Sequence, residues 1–91
     1  MADIDATLNE RESRYGDFRD HAALSVNLKE TMRCWHGWNN LEPYQQHALE
    51  IIMDKVARIL NGDPNYADNW HDIQGYAKLV EDRLPKGIAN V

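Results

Sequence analysis

The sequence has little of what disulfide-linked or membrane-spanning proteins need. Its 91 residues include one cysteine, Cys34, which rules out an intramolecular disulfide and is typical of proteins in a reducing cytosol. No apolar run approaches the roughly 20 residues that span a bilayer. The polar, acidic N-terminus does not look like a secretory signal or an arginine-rich transit peptide. We therefore expect a soluble, cytoplasmic protein.

Basic charge is scarce as well. Lysine and arginine together number 10, against 15 aspartate and glutamate, and the net charge of −5 comes from interspersed signs rather than from blocks. Non-specific binding to nucleic acid requires clustered lysine and arginine, so the composition argues against that class of function. An acidic chain of this kind instead suits a metal ion, a metal-bound phosphate or a basic protein surface as its ligand.

The chain also lacks alternating runs of β-branched and aromatic residues, which argues against a β-rich fold and leaves helical periodicity as the dominant pattern. We predict one all-α domain at 1–84, a small four-helix antiparallel bundle, followed by a flexible tail at 85–91. Glycine and proline mark the helix ends. The predicted helices cover residues 4–14, residues 17 or 20 to 36, residues 43–61 and residues 67–84.

Two predicted helices carry apolar faces. The face of the third consists of Leu49, Ile52, Met53, Val56, Ile59 and Leu60. The arc of the fourth consists of Trp70, Ile73, Tyr76, Ala77, Val80 and Leu84. We expect these faces to be buried where the two helices form an antiparallel hairpin. Because a core of this size is small, we also predict a homodimer that buries Trp35 or Trp38.

Four acidic residues lie one helical turn apart in two pairs on the last two predicted helices: Glu50, Asp54, Asp68 and Asp72. If the two acidic faces meet, their mutual repulsion calls for a cation, and Mg²⁺ is the expected metal. Lys55 and Arg58 would then contact phosphate. If the faces diverge, the acids form an ordinary solvated surface and pair with basic residues, for example Asp54 with Arg58.

Three segments, YGDF, KVARILNG and DNWHDIQGYA, resemble a family of small phage and prophage proteins of unknown function. The resemblance covers about residues 10–84, and the last segment is its most specific part. More distantly, the chain is similar to phage nucleotide-modification-associated helical domains. A third similarity is to the all-α nucleoside triphosphate pyrophosphatases, which have the MazG-like fold.

The pyrophosphatases bind Mg²⁺ with E-E-x-x-E on one helix and E-x-x-D on the next. Glu50 and Asp54 match the outer acids of the first motif, and Ile51 replaces the middle one. Asn69 and Asp72 match the spacing of the second motif, with asparagine where glutamate is expected. The chain therefore departs from the pattern at two of its acidic positions.

The resemblance implies a phage-encoded, nucleotide-binding protein in the host cytoplasm and, if it is active, a Mg²⁺-dependent nucleoside triphosphate pyrophosphohydrolase. Glu50, Asp54 and Asp72 would hold the metal, and Asp68 would assist. A second hypothesis, of another class, is a non-catalytic phage accessory or inhibitor protein that binds a host protein through its acidic helical surface. No individual catalytic residue is predicted.

Overall fold

The computed structural model describes residues 3–85, which form four α-helices and no strand. Their bounds are Ile4–Tyr15 (α1), Phe18–Cys34 (α2), Pro43–Asn61 (α3) and Ala67–Glu81 (α4). A short 3₁₀ helix, His36–Asn40, connects α2 to α3. The predicted all-α, four-helix fold is confirmed. Within residues 3–85, no helix combines the length and the apolar character that crossing a membrane requires.

The helix ends follow local signals in the sequence. Helix α3 begins with Pro43, whose missing N–H is not needed in the first turn. The Gln45 side chain accepts a hydrogen bond of 2.8 Å from the Glu42 N–H, which satisfies a donor just before the helix. Gly16 follows the last residue of α1, with φ of +80°, and Gly62 follows the last residue of α3. These boundaries agree with the prediction.

Two predicted helices end early. Helix α2 was expected to reach residue 36 but ends at Cys34, because Trp35 has an extended backbone (φ −76°, ψ 140°). Helix α4 was expected to reach residue 84 but ends at Glu81, after which the chain forms a turn before Pro85, a residue that disfavours helical conformation in its predecessor. Apart from Pro85, the predicted tail at 85–91 lies outside the described residues.

Helix α3 occupies the centre of the molecule and contacts both α2 and α4. The Tyr44 hydroxyl, at the start of α3, donates to the carbonyl oxygen of Arg83, just beyond α4, at 3.2 Å. Further along, the Lys55 ammonium lies 3.0 Å from an Asp72 carboxylate oxygen. The two helices therefore run antiparallel, as predicted for the hairpin.

Helix α1 is attached to the other helices at its C-terminal end. A Cβ on Gly62 would lie 2.1 Å from the Arg14 carbonyl oxygen, and a Cβ on Gly16 would lie 2.1 Å from the Asn61 carbonyl oxygen. The Asp63 N–H donates a hydrogen bond of 2.7 Å to the same Arg14 carbonyl. The two backbones thus meet at a distance that only glycine permits.

The interior is small and partly polar. Four of the residues 3–85 are buried: Ser25, Ala48, Ala57 and Asn69. The prediction of buried apolar faces on the last two helices is wrong at four exposed positions: Leu60, Trp70, Ala77 and Leu84. Trp70 and Ala77 are exposed because α4 packs mainly against a single helix, which leaves part of its apolar arc without a partner, and Leu84 lies beyond the end of α4.

Candidate functional site

Asp54 is the best-connected of the four predicted metal ligands. Its Oδ1 atom accepts a hydrogen bond from the Ser25 hydroxyl and lies 3.0 Å from the Lys29 ammonium, so both partners come from α2. Burial alone would raise the pKa of Asp54, but the hydrogen bonds from Ser25 and Lys29 outweigh burial and hold the pKa below its ordinary value. The carboxylate is therefore a charged link between α2 and α3.

Two more of the predicted ligands also form interhelical ion pairs. Glu50 lies 2.6 Å from the Arg33 guanidinium, which is a second link between α3 and α2. Asp72 pairs with Lys55, whose side chain is only 14% exposed, and this pair links α4 to α3. Side chains that the sequence offers as metal ligands thus hold neighbouring helices together.

Asp68 lies at the start of α4 and has a different kind of partner. Its carboxylate accepts a hydrogen bond of 2.8 Å from the Tyr66 hydroxyl. This bond, more than partial burial, raises the pKa of the Tyr66 phenol. Among residues 3–85, no group of three or more histidine, cysteine, aspartate or glutamate side chains is arranged to hold a metal ion. This arrangement does not fit a shared metal, and the Mg²⁺ site stays a prediction.

The two predicted phosphate ligands contact different groups. Lys55 is engaged by Asp72, as described above, whereas the Arg58 guanidinium lies over the Tyr15 ring, 4.6 Å from its centroid. The alternative pairing of Arg58 with Asp54 is wrong, because Asp54 takes its cation from α2. Within residues 3–85 the structure gives Arg58 no carboxylate partner closer than 4.0 Å.

Three polar residues lie in or beside the interior, a placement that was not predicted from the sequence. Ser25 and Asn69 are buried, and the Nδ2 atom of Asn69 and the Nδ1 atom of His21 lack a hydrogen-bond partner in the described part of the chain. Burial and the nearby Arg58 guanidinium lower the pKa of His21, and Asp54 opposes that shift. A signal was present for two of these residues, because His21, Ser25 and Lys29 recur every four positions on one face of α2.

A surface with two tryptophans lies where α2 meets the 3₁₀ helix and α3. An open concavity of about 490 Å³ is lined almost entirely by apolar atoms. We call it the tryptophan concavity, and its lining consists of Thr31, Met32, Trp35, Gly37, Trp38, Leu41 and Leu49. The Trp35 side chain is exposed at its edge, whereas Trp38 is half-buried.

Comparison with known proteins adds no relative: no protein-family model, no curated protein and no solved structure is detectably similar to this chain.

Proposed function

We propose that this protein is a non-catalytic binding protein that docks another protein in the tryptophan concavity. The proposal is based on the exposure of Trp35, whose residue surface is 70% accessible beside an open apolar concavity. Tryptophan is one of the residue types enriched among the side chains that contribute most of the binding energy in protein interfaces. An exposed tryptophan beside a concave apolar surface therefore indicates a binding site. Large exposed apolar patches on small proteins commonly mark binding surfaces.

Charged residues that adjoin the lining residues in sequence indicate the chemistry of the partner, and Arg33 among them is already paired with Glu50. Glu30 and Glu42 are exposed and directly adjoin the lining residues Thr31 and Leu41 in sequence. Within residues 3–85, neither glutamate has a basic side chain within 4.0 Å. A partner that presents an apolar side chain surrounded by lysine or arginine would complement both features. The resemblance to phage proteins makes a host protein the natural partner.

The ion pairs of Asp54, Glu50 and Asp72 support a binding role over a Mg²⁺–nucleotide site. Each carboxylate already has a cationic partner, so a metal ion would have to replace an existing contact between helices. The nucleotide hypothesis is tested directly by incubating the protein with nucleoside triphosphates and Mg²⁺. Release of pyrophosphate by the wild type, and its loss in Asp54→Asn, would replace the binding proposal with the enzyme.

The predicted homodimer that buries Trp35 or Trp38 concerns the same surface. A second copy is therefore the competing occupant of the tryptophan concavity. Sedimentation of the Trp35→Ala variant separates the two occupants, because loss of self-association in this variant would assign the concavity to a dimer rather than to a different protein.

The proposal is tested by selecting peptides from a random library on the immobilised protein. We expect the enriched peptides to combine a large apolar residue with basic residues and to lose at least roughly tenfold in affinity for Trp35→Ala. Leu60→Ala is the matched control, because Leu60 is 65% exposed on α3 and does not line the concavity. Peptides that bind wild type and Trp35→Ala equally, or a library that yields none, would count against the proposal.

A further inference from the structure

Helix α1 presents an apolar stripe that nothing in the described chain covers. Ile4 and Leu8 are 64% and 53% exposed, and α1 contains no buried residue. With Arg11 and Tyr15 they follow a 4-3-4 spacing, which is the spacing of a helix that packs along another helix. A 12-residue helix is marginal in water without such packing. The stripe therefore needs a partner.

A cleft of about 430 Å³ lies between this stripe and the start of α2. Leu8, Arg11, Glu12 and Tyr15 of α1 line one side, and Phe18 and His21 of α2 line the other. Phe18 is 80% exposed, the largest fraction among the large apolar residues of the described chain. The cleft can accept an apolar side chain of the size of leucine or isoleucine. Helix α1 itself carries both residue types in its N-terminal half.

In the described part of the chain, basic groups without an ion-pair partner lie near the C-terminal end of α1, beside the exposed Glu12, and acidic groups without one lie near its N-terminal end. Near the C-terminal end, the Arg11 and Arg58 guanidinium groups lie 5.2 Å and 4.6 Å from the centroid of the Tyr15 ring. Near the N-terminal end lie Asp3 and Asp5. Within residues 3–85, none of these four charged groups has an oppositely charged side chain within 4.0 Å.

We propose that α1 pairs antiparallel with α1 of a second copy of this chain. In this arrangement, Ile4 and Leu8 of each copy enter the cleft of the other, and Asp5 of each copy comes within reach of Arg11 of the other. The interface is two-fold symmetric, so every contact occurs twice. The antiparallel direction also sets the opposed ends of the two helix dipoles side by side.

The exposed surface area is large for a chain of this mass, which agrees with an interface to a second copy. The chain exposes 7068 Å², compared with about 5,500 Å² for a compact monomer of 10.6 kDa. A standard interface covers about 800 Å² on each partner, which this excess can supply. The proposed dimer leaves the tryptophan concavity free and does not depend on the function proposed for it.

The mass in solution tests the pairing. Sedimentation equilibrium at micromolar concentration should give the wild type twice the chain mass of 10.6 kDa, and Leu8→Glu should give the monomer mass. Leu60→Glu is the matched control, because it places the same charge on an exposed leucine of α3 and should remain dimeric. Trp35→Ala should remain dimeric too. A monomeric wild type, a dimeric Leu8→Glu or a monomeric Trp35→Ala would overturn the proposal.

A charge exchange tests the pairing in a way that misfolding of one variant cannot imitate. Asp5→Lys and Arg11→Glu should each weaken dimerisation roughly tenfold or more, because each change puts two pairs of like charges in the symmetric interface. An equimolar mixture of the two variants should recover wild-type affinity and form heterodimers, measured by native mass spectrometry. Homodimers of both variants at wild-type affinity, or a mixture without preference for heterodimers, would refute the antiparallel pairing.

Discussion

At the residue scale, the Asp54 carboxylate shows how this small chain holds its helices together. One oxygen atom of Asp54 accepts from a buried hydroxyl and a mostly buried ammonium, both on α2. Hydrogen bonds to a charged acceptor in such a setting stabilise more than exposed ion pairs do, because water competes less for the partners. Asp54 therefore holds α2 against α3 where the apolar core is small.

We predict that Asp54→Asn lowers the free energy of unfolding by about 1–2 kcal/mol, because an amide retains the shape but loses the charge that Lys29 and Ser25 face. Glu50→Gln is the control, since its partner Arg33 is more exposed, and it should cost a few tenths of a kcal/mol. Urea denaturation measures both values. Equal losses of stability in the two variants would show that burial does not strengthen the contacts of Asp54.

The same carboxylate predicts a dependence on acidity. Because the folded pKa of Asp54 lies below its ordinary value of 3.8, its contribution is fully present above that pH and is lost as the pH falls through the folded pKa. Asp54→Asn should therefore lose less stability than the wild type between neutral pH and pH 3. Parallel curves for the two proteins would contradict the assigned shift.

His21 gives a second dependence at higher pH. Burial and Arg58 lower its pKa below the ordinary value of 6.5, so the unfolded chain binds the proton more readily than the folded one. Stability should therefore decrease as the pH falls below about 6.5, and His21→Gln should flatten that part of the curve. A pH dependence of His21→Gln equal to that of the wild type would contradict the assigned shift.

The sequence is sufficient to identify the charged residues that form contacts, but not all of their partners. Spacing along one helix placed Arg58 beside Asp54, yet the ammonium of Lys29 on another helix is the actual partner. The pairing depends on how two helices rotate against each other, which local spacing does not encode. The buried amide of Asn69 was missed for the same reason, because asparagine by itself is typical of exposed positions.

At the element scale, the helix ends that depend on local chemistry were predictable. Gly16, Gly62 and Pro43 each set the backbone of their own turn, so the sequence was sufficient to place them. The end of α2 was not, because Trp35 leaves the helix at a position without glycine or proline. The crossing of two glycine backbones was also hidden, since residues 16 and 62 are far apart in the chain.

The crossing yields a prediction with an internal control. Gly62→Ala should destabilise the fold by about 2 kcal/mol or more, because its Cβ would overlap the Arg14 carbonyl oxygen, and Gly16→Ala should do the same at a positive φ. Gly75→Ala should instead stabilise by up to about 1 kcal/mol, since no atom lies within 4 Å of its added Cβ and alanine favours the helix. Thermal unfolding of the three variants measures the order of their stabilities. Destabilisation by Gly75→Ala would contradict the prediction.

At the scale of the whole molecule, the described shape is long and thin, with extents of 50 × 26 × 25 Å. The radius of gyration is 15.8 Å, compared with about 12 Å for a compact chain of this length. The periodicity of apolar residues correctly predicted the helices. It could not show that α4 would have one helical neighbour instead of two. The two proposed interfaces use other exposed apolar residues, Trp35 on one side and Ile4, Leu8 and Phe18 on the other.

Glu50, Asp54 and Asp72 link neighbouring helices, and we propose that the protein acts by binding another protein rather than a metal–nucleotide complex. The melting temperature with and without millimolar Mn²⁺ distinguishes carboxylates that link helices from carboxylates that hold a metal ion. A cation at 100 times its dissociation constant stabilises the fold by about 2.7 kcal/mol, which raises the melting temperature of a domain this small by roughly 10 °C or more. We predict no change for the wild type. A rise of that size that disappears in Asp54→Asn and Asp72→Asn would contradict the account and restore the metal-dependent enzyme.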